Sequence, residues 1–290
     1  MKQISLTESC VFLQLSISRM GDKRGVSSEE IEVDADKDLV KVRKVIFKSN
    51  EFDRIKSLDS EVRRYVRSQC FPFENGLHLV PIKMVDMITE KLHVYHLMRN
   101  EYINDFVDVY PSLVIDANPK LRKLFNENDY RTDDIAEQFS MGWQFLMLTA
   151  PMGLEAVNSE LLKQEQKKMQ DRFQEAFEEA RMLLRETCLN LVQHLRVSLE
   201  SDAYGAAKRL SSSTVRHLQE FLNTFDLRNV TNDTELSRYI SEARQLTEGI
   251  DPEALRTIDG LRNRVREELH AIEESITTTL VTQPTRRIRL

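Results

Sequence analysis

Residues 155–200, EAVNSELLKQEQKKMQDRFQEAFEEARMLLRETCLNLVQHLRVSLE, run for 46 positions without one Gly or Pro. Apolar residues recur at steps of three and four around and within this stretch: Leu154, Val157, Leu161, then Phe173, Phe177, Ala180, Leu184, Leu191 and Leu195. That is helical periodicity, and at 1.5 Å rise per residue it predicts a helix of roughly 70 Å. Helices of compact domains average about 11 residues. A stripe this long cannot be buried against a small globule, so it must lie along other helices as a coiled-coil-like arm. The fold class that follows is mainly α.

Working outward, the amino-terminal side is mixed. Leu13, Leu15 and Ile17 alternate with polar positions over 11–18, which reads as a strand, followed by a charged turn from Gly21 to Gly25. Residues 37–69 read as one helix, best defined by Ile55, Leu58, Val62, Tyr65 and Val66. The run Phe71-Pro72-Phe73-Glu74-Asn75-Gly76 breaks it, and Leu77–Val80 reads as a short strand. Pro81 suits a helix start. A near-heptad of Val85, Ile88, Leu92, Tyr95, Tyr102, Phe106 and Val109 then predicts a helix ending at Pro111, with a shorter one after Asn118-Pro119. Another is expected from Thr132, with Asp133 and Asp134 in an acidic first turn. Trp143–Leu148 is apolar on both alternating sets, as a buried strand would be, and is expected to pair with 11–17.

Beyond the arm, Tyr204-Gly205 makes a break, and helices are expected over 206–225 and 233–248. The second opens on an Asn232-to-Glu235 capping box. The last helix runs from Asp251-Pro252 to about Leu280, long enough to fold back along the arm. The expected organisation is an α+β unit over 1–151, a long-helix arm and bundle over 152–282, and a basic tail over 283–290 carrying Arg286, Arg287 and Arg289.

Composition narrows the function classes. Gly contributes 8 of 290 residues, under 3%, where about 7% is ordinary. Phosphate-cradling loops need several close together, and the nearest pair is Gly21 and Gly25. Cys10, Cys70 and Cys188 are far apart, which suits a reducing cytoplasm and offers neither a zinc spacing nor a disulfide framework. No apolar run reaches the ~18 residues of a membrane span. A cytoplasmic protein without cofactor or metal is expected, and the −6 formal charge speaks against general nucleic-acid affinity.

Individual residues carry little chemistry. Glu90, His93 and His96 fall at i, i+3 and i+6, a spacing that lets two imidazoles share a helix face, but the heptad places them on a polar flank with Asn100 and Asn104. His194, His217 and His270 read as surface residues. Cys188 lies close to the arm's stripe and reads as a packed thiol. Asp133-Asp134 and Glu178-Glu179 point about 100° apart on helices and do not converge. The expectation is a non-enzyme with no catalytic residue.

Two features point to partners. Between Lys37 and Arg67 stand ten Lys/Arg against five Asp/Glu, a balance of +5. Lys41, Arg43, Lys44, Lys48, Arg63, Arg64 and Arg67 could meet a phosphate backbone or an acidic protein, or form the wet face of an amphipathic helix. The arm's stripe, Phe173, Phe177, Leu184, Leu191 and Leu195, either packs within a helical hairpin or joins two copies in a homo-oligomer.

Four segments in order complete the picture: Val11 to Gly25, Phe71-Pro72-Phe73 through Gly76 to Val80-Pro81, Gly142-Trp143-Gln144-Phe145, and Phe221-Leu222-Asn223-Thr224-Phe225-Asp226. In this layout the chain resembles a bacterial and phage family catalogued as a domain of unknown function. Members of that family are often encoded on phages and mobile elements, beside a MoxR-type AAA+ ATPase and a protein with a von Willebrand factor A domain. The resemblance therefore implies an adaptor that works with that ATPase complex, and it carries over no functional residues.

Overall fold

Consecutive residues of the first strand point to opposite sides of a sheet, and both sides are covered. In the computed structural model, which describes residues 9–27, 30–31, 35–36, 39–130, 134–200, 211–248 and 252–281, β1 (Cys10–Ser18) lies inside a four-stranded antiparallel sheet. The order is β4 (Phe71–Pro72), β5 (Leu77–Pro81), β1, β6 (Ser140–Leu146). Leu13 and Val80 face a layer made by α1 (Asn50–Gln69) and α2 (Val85–Leu121), packing with Val62, Val66, Ile88 and Leu92. Phe12 and Leu79 face the other way, into a helical bundle with Leu184, Leu222 and Ile276. The sheet is thus the middle of three layers, and one core spans residue 151.

The bundle is built by α3 (Ser159–Ser198), α4 (Ser212–Arg228), α5 (Thr234–Thr247), α6 (Pro252–Thr257) and α7 (Asp259–Val281), making seven α-helices among the described residues. The chain is mainly α with a small amino-terminal sheet region, as its periodicity predicts. The long helix has 40 residues, about 60 Å, and starts where the Asn158 side chain accepts from the N–H groups of Glu160 and Leu161 at 3.0 and 3.2 Å. α7 folds back along it, fastened by Arg196 Nε to Glu273 Oε2 at 2.5 Å.

Several sequence expectations need correction. The helix expected over 37–69 begins at Asn50, where Ser49 caps it by accepting from Phe52 N–H at 3.2 Å. Upstream, β3 (Val42–Val45) pairs antiparallel with β2 (Lys23–Val26) as a separate ribbon. Val40, Val42, Val45 and Ile46 are β-branched and favour an extended chain, and Ile46 and Phe47 are buried beside Phe52 and Phe106.

The helix expected to stop at Pro111 continues through it and through Pro119 to Leu121. Its buried stripe continues too, from Ile103 and Phe106 to Tyr110 and Ala117, so packing outweighs the lost hydrogen bonds. The separate helix after Asn118 therefore does not exist. From Ile135 to Gln138 there is only a 3₁₀ turn, entered with Asp134 at φ +47°, in place of the helix expected from Thr132; Thr132 and Asp133 lie outside the described residues.

The Trp143–Leu148 segment does pair with β1, Leu13 opposite Phe145 and Ser18 opposite Ser140. It is not buried on both sets, because it is an edge strand and Met147 beyond it is largely exposed. Asp233, not Asn232, caps α5, accepting from Leu236 N–H at 3.0 Å, while Asn232 takes a positive φ of 49°. The final helix breaks at Ile258, which is exposed. The Tyr204-Gly205 break and the basic tail with Arg286, Arg287 and Arg289 lie outside the described residues.

Candidate functional site

The His trio separates once its neighbours are placed. Trp143 on β6 stands edge-on to His93, ring centroids 4.9 Å apart, and 6.2 Å from His96, whose Nδ1 is buried without a hydrogen-bond partner. Glu90 is exposed. Among the described residues no three His, Cys, Asp or Glu side chains gather as metal ligands. Trp143 was not legible as the cover of this flank, since strand-to-helix contacts leave no local periodicity. His194, His217 and His270 lie on exposed helix faces.

All three thiols are buried. Burial pushes Cys10 up to about 11 and Cys70 and Cys188 up to about 12. At neutral pH they are protonated, packed groups, the opposite of what a thiolate nucleophile needs.

The basic residues divide between two elements. Lys41, Arg43 and Lys48 are exposed on and around β3, so they do not form the wet face of a helix with the later cations. Lys44 is turned inward: its ammonium meets Asp129 Oδ2 at 2.6 Å and donates to the Leu124 carbonyl. Arg63 donates to the carbonyls of Asp59 and Ile17. Arg64 and Arg67 are exposed on α1. Two of the seven cations thus serve internal contacts.

Two arginines that periodicity did not single out form buried clamps. Arg99 on α2 reaches Asp59 on α1, Nε to Oδ1 2.8 Å, and donates to the Ser18 carbonyl at 2.7 Å. Arg19 occupies the second Asp59 oxygen at 2.9 Å. The end of β1 is thereby tied to both helices of its layer. In the bundle, Arg185 on α3 grips Asp233 with two bonds of 2.7 and 3.0 Å and adds Glu235 at 2.9 Å. Burial works against the Asp233 carboxylate, yet the Arg185 and Leu236 donors outweigh it, so its pKa falls below the ordinary range. Arg99 was hidden because it occupies a position in an otherwise apolar stripe.

The arm's own stripe is divided along its length. Leu184 and Leu195 are fully buried, and Phe173, Phe177 and Leu191 are half-buried against the same core. Phe173 stacks on Phe12 of β1 at 5.8 Å, so the sheet itself meets the arm. The amino-terminal end differs. Between Lys163 and Arg172 only Glu165 and Met169 are even half-buried. Near its base the segment after β6 and the first helical turn expose four apolar residues close in sequence, Met147, Met152, Val157 and Leu161, an apolar collar by chain position, with Val157 at 81%. Two of these, Val157 and Leu161, were expected in the buried stripe. The helix register places Leu162 there instead.

The collar and the helix above it can take part in helix or apolar contacts with another molecule; they hold no convergent acid, base or nucleophile. Among the described residues no helix is long and apolar enough to cross a membrane. A family model described as "protein of unknown function (DUF3150)" matches residues 7–224, about three quarters of the chain, and the chain belongs to that family. No curated protein and no solved structure matches it.

Proposed function

We propose that this DUF3150 member is a non-enzymatic adaptor of a phage or mobile element, acting through helix surfaces in a complex with a MoxR-type AAA+ ATPase and a von Willebrand factor A domain protein in the cytoplasm. The observation that carries the adaptor reading is the contrast along α3. Its carboxy-terminal half is welded to the sheet and to α4 and α7, whereas residues 163–171 are mostly exposed next to the apolar collar, and Arg172 pairs with Glu74 at 3.8 Å. A rigid base with a mostly exposed helix end presents a partner with a preformed surface, and preformed surfaces lose less entropy on binding. The collar includes Met147 and Met152, a residue type enriched at protein interfaces. The identity of the partner rests on the family resemblance alone.

The test is affinity purification from the native host with nuclease present, comparing the native chain with a Val157→Glu, Leu161→Glu chain. The ATPase should co-elute stoichiometrically with the first and be lost from the second, whose circular dichroism should be unchanged. A chain that elutes alone sinks the reading. Recovery only with nucleic acid, when nuclease is omitted, would transfer the function to the exposed cations Lys41, Arg43, Lys48, Arg64 and Arg67.

A further inference from the structure

The strand β6 forms one margin of the sheet and lacks the usual guards of an edge. Over seven residues it pairs with β1 alone, and among the described residues no other backbone hydrogen bond reaches it. Proteins ordinarily protect such an edge with charge, proline or a bulge, because its free N–H and C=O groups invite another strand. Here the register with β1 runs one-to-one from Ser140 to Leu146, so there is no bulge. No charged residue occurs from Gln138 to Leu154, and the first Pro is Pro151. The opposite margin, β4, is only two residues long.

We propose that β6 is a dimerisation strand, pairing antiparallel with β6 of a second copy about a two-fold axis near Trp143 to join two four-stranded sheets into one of eight. Self-pairing is favoured over a foreign peptide for two reasons. In a two-fold antiparallel pair about Trp143 only Trp143 meets its own copy, Gln144 opposes Gly142, and the two Gln144 side chains are diagonal neighbours on one face, so a charge at or beside the axis would lie near its like. β6 has none, on a chain in which 30% of residues are charged.

Opposed residues of an antiparallel pair also project to the same face. Trp143 then neighbours its own copy, Met141 faces the partner's Phe145, and the α2 helices of the two copies lie side by side. α2 runs over β6, as the His93–Trp143 contact shows. One turn from His93, its flank exposes Leu97 at 65%, with Val94 beside it at 47%. A second copy would cover both the edge and this flank. A single extended peptide would leave the flank bare.

Sedimentation equilibrium of the full chain at micromolar concentration is the test. The expected mass is twice 33.9 kDa. Gln144→Lys should weaken the dimer by about tenfold or more, with an unchanged circular dichroism spectrum, and Leu97→Glu, on an exposed helix face that cannot unfold the core, should also weaken it. Mixing Gln144→Lys chains with Gln144→Glu chains should restore association, which a misfolded variant could not do. A native chain that sediments at 33.9 kDa, a dimer unaffected by Gln144→Lys, or a mixture that fails to associate overturns the proposal.

Discussion

Two long helices, α2 with 37 residues and α3 with 40, reach similar lengths by opposite means. α2 holds two prolines and is buried at intervals along its length, from Ile88 to Ala117. α3 has no proline or glycine, yet only its carboxy-terminal half is well covered. Helix length is therefore set in α2 by a continuous packing surface and in α3 by local propensity. Each carries one arginine inside its buried stripe, Arg99 or Arg185, answered by an aspartate from another element. The first clamp joins a strand to two helices; the second joins two helices through a cap.

The largest effect should come from breaking the first clamp. Asp59→Ala leaves Arg99 buried without a counter-charge, which costs about 3–5 kcal/mol. Replacing both partners, Asp59→Leu with Arg99→Met, should recover most of that loss in urea unfolding. A single mutant as stable as the native chain would show that the clamp is decorative.

The contrast within α3 can be measured directly. Leu184→Ala should cost about 2–5 kcal/mol, as deletions in tight cores do, whereas Leu161→Ala should stay within about 0.5 kcal/mol. Equal values in paired thermal melts would abolish the distinction between a welded half and a free half.

Pro111 sharpens the comparison from the α2 side. It is exposed and lacks the N–H that would bond within the helix. Pro111→Ala should stabilise by about 1–2 kcal/mol, because a helix-interior proline costs about 3 kcal/mol relative to Ala and the looser unfolded chain returns part of the gain. Loss of stability on this change would mean that the proline shapes the helix path.

The smallest expected effect is acid lability confined to the second clamp. Asp233 has a folded pKa below its ordinary value, so its contribution is complete above about pH 4–5. It is lost as pH falls through the folded pKa. In Arg185→Met this depression should vanish, and the native chain's stability should fall more steeply with acid than the mutant's. Parallel pH profiles would exclude that linkage.

The sequence-derived elements differ in how well they survive. The strand at 11–18, its pairing with the Trp143 segment, the short strand at 77, the arm and the returning last helix were all legible, because each announces itself by a period or a nearby breaker. The helix assigned to Lys41–Lys48 was misplaced: charges at helical spacing outweighed the β-branched run between them. The stop assigned at Pro111 failed because a local breaker was weighed without the burial of Tyr110 and Ala117. Of the stripe residues, Leu184 and Leu195 were placed correctly, while Val157 and Leu161 proved exposed.

By itself, the sequence determined the helical class, the presence of the long arm, the burial of Cys188 and the lack of a glycine-rich phosphate loop, since these follow from propensity, periodicity and composition along a single segment. Only the tertiary structure decided that the sheet has two covered faces, that Arg99 and Arg185 are clamps, and that β6 is an unguarded edge beside a half-bare helix. Those properties belong to pairs of residues far apart in the chain, such as Arg99 with Asp59 or Phe173 with Phe12. Their energies come from burial and charge pairing that exist only once the layers have met.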